Sequence, residues 1–465
     1  MREIKSPHTG LVIGQIEYSS KEEIDQKIKK AAAAQKKWKE LPIKERSQVL
    51  FKFKNLLLRD QESLAKLKGS ECGKVFSEAH AGLMKGVEVL DYALSIQNLD
   101  LGGKLEVSRG VTCEYRREPL GVVAFISPFN FPAMVPMWTI PISLVLGNAY
   151  VWKPSEKTPL TSLKIAELLK EAGLDQDLFV VAQGEKETVQ AIIDNPSVAA
   201  VGFVGSSKVA KSVYERGTAL GKRVLALGGA KNHIILLPDA NLELSGPGIS
   251  DSFTGCAGQR CMAASVLLAV GDVQKHIDKI VQRASSLVLG TSMGAIITKE
   301  QVQFLHGAIE RAEKEGAKIL LDGRKALPPK GFENGHWMGP TVLDQVKPGS
   351  EAATTELFGP ILSILRCKDL SEALQIENES LYGNACSVFT SSGALAERVA
   401  RSTKAGMVGI NVGVPVPREP FSFGGTGLSK FGHGDITGAH SLDFWTNVKK
   451  VTTKWEVQEH SSWMG

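Results

Sequence analysis

The chain has 465 residues, 43% of them hydrophobic and 23% charged, with a formal net charge of +5. A single core rarely grows past about 250 to 300 residues, so two or more domains are expected. Lysines scattered among alanines, as in "KIKKAAAAQKKWKE" (27 to 40), argue against a nucleic-acid stripe, and six cysteines are too few for a disulfide framework, which points to a reducing cytosol.

The N-terminus, "MREIKSPHTGLVIGQIEYSS", has no apolar run of the kind a secretion signal needs. From residue 20 to about 98 the pattern is helical, with Ile24, Ile28 and Ala31 repeating at three and four. "LGVVAFIS" (120 to 127) then opens a series of short apolar runs that read as buried strands. "AMVPMWTIPISLVLGNAYVW" (133 to 152) runs twenty residues without a charge, long enough to span a bilayer. Pro136, Pro141 and "GN" interrupt it, so the reading is a buried helix, a turn and a buried strand. "AYVWK" (149 to 153), "LFVVAQ" (178 to 183), "AAVGFVG" (199 to 205) and "RVLAL" (223 to 227) continue the series, separated by helical stretches. Strand, helix, strand in this rhythm implies a parallel sheet covered on both faces. The rhythm restarts after residue 230 with "SVLLAV" (265 to 270), "ILSILRC" (361 to 367), "ACSVFT" (385 to 390) and "GMVGINV" (406 to 412), giving a second α/β domain. The tail "SLDFWTNVKKVTTKWEV" (441 to 457) reads as a terminal strand of the kind that joins subunits.

No G-x-G-x-x-G and no phosphate-loop motif is present. "FVGSSK" (203 to 208) and "WKPSEKTP" (152 to 159) are the nearest substitutes, each placing backbone amides near a helix start where a pyrophosphate could sit. "CAGQRCMAAS" (256 to 265) poses a sharper question, because its two cysteines could be a nucleophile on a turn, half of a metal site or buried thiols. The metal reading fails on ligand count, with no second cysteine pair and no neighbouring histidine. Cys113, Cys367 and Cys386 sit in apparent strands, whereas Cys261 follows "GQR" in a polar turn where Arg260 could lower its pKa.

"SPFNFPAMVP" (127 to 136), "LALGGAKNH" (225 to 233), "GQRCMA" (258 to 263) and "ELFGPIL" (356 to 362), in that order, resemble the aldehyde dehydrogenase superfamily across essentially the whole chain. Together with "PDAN" (238 to 241) and "NVGVPVP" (411 to 417), they are most similar to its CoA-acylating branch, the methylmalonate-semialdehyde dehydrogenases. The resemblance implies an NAD-binding domain over 1–105 and 120–228, a catalytic domain over 229–430, and oligomerisation strands at 106–119 and 440–458. It implies Cys261 as the nucleophile toward an aldehyde, and the Asn130 amide with the Cys261 N–H as donors to the thiohemiacetal oxygen. For NAD it implies Phe129 beside the cofactor, Lys153 and Glu156 at the adenosine ribose, Gly205 and Ser206 at the pyrophosphate, and Glu356 and Phe358 at the nicotinamide end. A carboxylate at 156 should repel a 2′-phosphate and favour NAD over NADP.

Hydrolytic members of the superfamily carry a glutamate at the head of the glycine motif, E-L-G-G-K. Alignment on Lys231 puts Leu227 there, and shifting by one gives Ala226 or Gly228, none of them acidic. Water has a pKa of about 15.7 and a free thiol about 8.5, so ionising water costs on the order of 10 kcal/mol more. Hydrolysis of an enzyme thioester therefore needs a positioned base, whereas coenzyme A is already partly ionised near neutral pH.

The semialdehyde branch reads its substrate carboxylate with an arginine before the cysteine and another on an N-terminal helix. Arg260 matches the first; Lys85 stands at the second, keeping the charge without the bidentate fork. The stretch "GTSMGAIITKE" (290 to 300) is also shorter than the family loop. The resulting expectation is a cytoplasmic homodimer or homotetramer, without metal, nucleic-acid or membrane partners. It would oxidise a small semialdehyde with NAD and pass the acyl group to coenzyme A. The alternatives are a hydrolytic dehydrogenase using another base, such as Glu356, and an inactive scaffold of the same fold.

Overall fold

The structure is a computed structural model that describes residues 1–99 and 101–455. The helical opening forms four helices. Lys21–Trp38 starts at a capping box, in which the Ser20 hydroxyl accepts from the Glu23 amide and the Glu23 carboxylate accepts from the Ser20 amide, both at 3.1 Å. Its stripe of Ile24, Ile28, Ala31 and Trp38 is the buried face. Ile43–Arg59, Gln61–Cys72 and Phe76–Ser95 follow. The chain turns between the last two at Gly73, whose φ of 76° is a left-handed conformation that glycine reaches without a Cβ penalty.

The first sheet runs Lys430–Phe431, Arg223–Leu227, Val198–Val204, Val122–Ile126, Ala149–Lys153, Phe179–Val181. All pairings are parallel except the short edge strand at 430–431, which lies antiparallel to Arg223–Leu227. Strand order reverses between Val122–Ile126 and Val198–Val204, so a crevice opens at their carboxyl ends. That is where Ser127 to Asn130 and Gly205–Ser206 leave the sheet. The uncharged stretch 133–152 becomes two short helices, Met134–Met137 and Ile140–Val145, before the buried strand Ala149–Lys153. Pro141 sits in the first turn of the second helix, where its missing N–H has no intrahelical role. Among the described residues no helix is long and apolar enough to cross a membrane.

The second sheet has seven strands, ordered Lys318–Leu321, Thr341–Asp344, Ile361–Cys367, Ala264–Val270, Asn232–Leu236, Ala385–Phe389, Met407–Ile410. Asn232–Leu236, buried along its whole length, starts at the end of the glycine motif and continues past it. Cys261 precedes Ala264–Val270, so the amino edge of this sheet faces the carboxyl edge of the first.

A third, antiparallel sheet joins Gly102–Ser108, Val111–Pro119 and Thr446–Lys454. Its first strand begins at Gly102 rather than at 106, and 441–445 form a short helix ahead of the tail strand. Residues 456–458 of the expected tail strand lie outside the described residues.

Candidate active site

Phe129, Asn130, Lys153, Glu156, Gly205 and Ser206 line one cavity of about 900 Å³, and Cys261, Glu356 and Phe358 complete it. The first six come from the carboxyl edge of the first sheet and the last three from the second domain. The cavity therefore exists only because the two sheets face each other.

Three consecutive left-handed residues deliver Cys261. Cys256, Ala257 and Gly258 have φ of 55°, 52° and 69°, a run that side-chain-bearing residues avoid unless neighbours hold them. The Cys256 amide donates to Glu78 Oε1 at 2.6 Å, and a Cβ on Gly258 would collide with the Gly359 carbonyl. Past this turn, the Cys261 carbonyl accepts from the side-chain amides of Asn232 (2.7 Å) and Asn384 (2.9 Å). These two asparagines stand where two central strands of the second sheet begin, and they fix the Cys261 backbone from both sides. Only the identity of Asn232 within "GAKNH" could have pointed to that role; Asn384 carries no local signal.

Burial pushes the Cys261 thiol up to about 12, and the charge on Glu356 adds to the rise. Its own backbone N–H, Arg260 and Lys74 pull in the opposite direction. The Asn130 side chain is 5% exposed and donates to the Gln259 carbonyl at 2.9 Å. An amide nitrogen carries two N–H bonds, so this contact orients the group and leaves one donor.

Lys153 is buried and donates to Glu156 Oε2 at 3.2 Å. Burial lowers the Lys153 pKa; at Glu156 burial, the largest influence, acts upward, but the charge and hydrogen bond of Lys153, the Glu156 backbone amide and Lys157 together outweigh it, and the carboxyl stays below its usual range. Ser206 is the N-cap of Ser207–Ala219, and its hydroxyl makes no cap bond, so the first-turn amides face the cavity without a side-chain acceptor there. Phe129 and Phe358 meet edge to face with ring centroids 5.8 Å apart. Phe358 holds a left-handed φ of 57°.

Glu356 accepts from the Ala230 amide at 2.8 Å. Burial raises its carboxyl to about 7, against the Ala230 amide and Lys231. Burial likewise brings Lys231 down to about 7.

Neither cation expected at the substrate carboxylate reaches the large cavity. Arg260 turns back and donates to the carbonyls of Asp251 and Ser252, the latter at 3.0 Å. Lys85 pairs with Glu88 at 2.6 Å, and Glu88 also takes Arg418 at 3.0 Å. Leu227 is only 2% exposed, inside the strand Arg223–Leu227, and the cavity wall at the glycine motif is Gly228 and Gly229.

Two α/β units meet at the turn that carries Cys261, and Cys261 and Asn130 line one cavity large enough for a dinucleotide, the arrangement of a dehydrogenase. The chain belongs to the aldehyde dehydrogenase family, whose model matches residues 1–451. It is 39% identical over 461 residues to malonate-semialdehyde dehydrogenase 1 of Geobacillus kaustophilus, covering 98% of this chain and 94% of that one. The methylmalonate-semialdehyde dehydrogenase of Oceanimonas doudoroffii superposes with a TM-score of 0.96 at 37% identity, over 98% of this chain and 95% of that one. A Sinorhizobium meliloti protein assigned to the same activity and crystallised with NAD gives the same TM-score, identity and coverage.

Proposed function

We propose that this aldehyde dehydrogenase oxidises a short semialdehyde of the malonate or methylmalonate type with NAD and transfers the acyl group to coenzyme A. The observation that carries the acceptor is the cavity wall at the glycine motif. Gly228 and Gly229 form it, with no carboxylate of the motif's own, and Leu227 is withdrawn into the sheet. The names of the relatives support the substrate class.

The residues present fit NAD. The Ser206 helix start offers amides to a pyrophosphate, the Lys153–Glu156 pair offers an ammonium and a carboxylate to a ribose, and the Phe129–Phe358 pair walls the opposite end. When bound, NAD supplies the hydride acceptor. The protein's own part begins with transfer of the Cys261 proton to solvent and attack of the thiolate on the aldehyde carbon, giving a tetrahedral thiohemiacetal oxyanion. Asn130 and the Cys261 N–H donate to its oxygen, where charge develops in the transition state. After oxidation Cys261 holds a thioester, and the thiolate of coenzyme A attacks its carbonyl and expels Cys261. If the acyl group carries a β-carboxylate, that carboxylate leaves as CO₂ and the carbon takes a proton, so malonate semialdehyde yields acetyl-CoA.

One observation favours a second reading. A cavity of about 20 Å³, the size of one water molecule, touches Ala230, Arg260, Cys261 and Glu356. With a carboxyl near 7, Glu356 is a base matched to neutral pH. Rapid mixing of protein, NAD and malonate semialdehyde separates the two. A burst of one NADH per site without coenzyme A, becoming steady turnover with it, is expected. Steady turnover without coenzyme A would mean that water is the acceptor, and its loss in Glu356→Gln would assign the base to Glu356.

We place the protein in the cytoplasm as a homodimer or homotetramer. The six free cysteines support the compartment. Exposed Leu105, Val107 and Val448 on the third sheet support self-association.

A further inference from the structure

The shortened stretch 290–300 is tied to the nucleophile turn through one buried side chain, that of Gln259. Gln259 is 3% exposed and does not line the large cavity. Both ends of its amide are satisfied. Nε2 donates to the Ala295 carbonyl at 3.0 Å and to the Cys256 carbonyl at 3.4 Å, while Oε1 accepts from the Ile297 amide at 2.9 Å. The Gln259 main-chain N–H also donates to the Cys256 carbonyl, at 3.1 Å.

The segment that Gln259 grips is itself fixed. Residues 293–297 are buried throughout. The Ala295 amide donates to the Gly73 carbonyl at 2.7 Å, and the Ile296 amide to the His336 carbonyl at 2.8 Å. A Cβ on Gly294 would stand 2.1 Å from the Gly73 carbonyl oxygen, so the two backbones touch. Gly73 belongs to the helical opening of the chain, and Gln259 to the turn before Cys261. The short segment is therefore a strut between the first domain and the nucleophile turn, with Gln259 as its joint.

The main-chain carbonyl of Gln259 accepts from Asn130 Nδ2 at 2.9 Å. A carbonyl can only accept, so it dictates which way round the Asn130 amide stands, with nitrogen toward Gln259 and the second N–H left for the cavity. Rotation of the peptide that carries this carbonyl would release that orientation. The side-chain amide of the same residue, bonded on both sides, opposes the rotation.

We propose that Gln259 is the positioning residue for the oxyanion donor. Its side chain, held by 295–297, fixes the peptide whose carbonyl aims the Asn130 amide. This assignment rests on the roles proposed above for Asn130 and Cys261.

The test is a double-mutant cycle read by rapid mixing with NAD and malonate semialdehyde. Gln259→Leu, close in volume but without hydrogen bonds, should slow the NADH burst by about 10- to 100-fold, the cost of misplacing a catalytic group by about 1 Å. The Kd for NAD should stay within about twofold. In an Asn130→Ala background the same substitution should slow the burst by under about threefold, because the group it aims is gone. Alkylation of Cys261 by iodoacetamide, a displacement that forms no oxyanion, should keep its rate within about twofold. Should Gln259→Leu fail to fold, Gln259→Glu keeps the size and the acceptor for Ile297, loses the donor, and carries the same comparisons. An equal loss in both backgrounds, a parallel fall in alkylation, or a burst within about threefold of the parent would overturn the assignment and leave Asn130 in its role. An unslowed burst in Asn130→Ala by itself would overturn the role of Asn130 and that of Gln259 with it.

Discussion

The Glu356 carboxylate accepts the Ala230 amide at 2.8 Å and lies over Gly229, where any Cβ would collide with it. A carboxylate from elsewhere in the sequence therefore covers the glycine motif that lacks its own. Its energetic consequence depends on pH. With a folded value near 7 against 4.5 when unfolded, Glu356 contributes its stability below about pH 4.5 and loses it as the pH rises through 7. The full loss is at most about 3 kcal/mol. Glu356→Gln should therefore be more stable than the parent by about 2 to 3 kcal/mol at pH 8 and by under about 1 kcal/mol at pH 5. Denaturant unfolding of both proteins at the two pH values checks this; equal differences would mean that the carboxyl is not buried in solution.

Removal of the Asn130 amide should cost about 10² to 10³ in kcat, since one oxyanion donor contributes about 3 to 4 kcal/mol. Steady-state rates of Asn130→Ala measure it, with NAD affinity as the control for misplacement of the loop. Cys261→Ser should abolish the NADH burst.

Leu227→Glu, the substitution that sequence alignment suggests for installing hydrolysis, should fail. The side chain at 227 is 2% exposed within a strand paired on both sides, so the new carboxylate would be buried without a partner. A loss of about 3 to 5 kcal/mol in stability and no coenzyme-A-independent turnover are expected. Gain of steady hydrolysis in a stable variant would show that this strand's register differs in solution.

Glu156→Gln tests cofactor choice. Glu156 lines the cavity beside Lys153 and keeps its charge at neutral pH. Removal of that charge should narrow the NAD over NADP preference in kcat/KM by about tenfold, equal to about 1.4 kcal/mol. An unchanged ratio would place the ribose elsewhere.

Thiol labelling distinguishes the six cysteines. Cys72, Cys256, Cys367 and Cys386 are buried, whereas Cys113 and Cys261 are partly exposed. Iodoacetamide should modify Cys113 readily in the folded protein, Cys261 slowly because its raised pKa leaves little thiolate, and the four buried thiols least of all. Glu356→Gln should speed modification of Cys261 severalfold, because the Glu356 charge raises its pKa. Peptide mapping after timed alkylation gives the two rates.

The sequence alone determined the parts of this protein that are written locally. Apolar runs placed the strands at 122–126, 149–153, 198–204 and 264–270, because side chains buried on both faces leave a continuous signature. Resemblance of short motifs to the family pointed to Cys261, Asn130, Lys153 and Glu156, and the fold brings all four to the lining of one cavity. Tertiary structure alone decided the direction of the rest. Leu227 points into a sheet because a strand's register is set by its neighbours. Arg260 spends its guanidinium on the Asp251 and Ser252 carbonyls because the helix Leu242–Thr254 ends beside it. Lys74 meets the Phe131 ring across the chain because Gly73 turns the backbone to deliver its ammonium there. No local pattern encodes such meetings; they follow from which helix faces pack against which sheet edge.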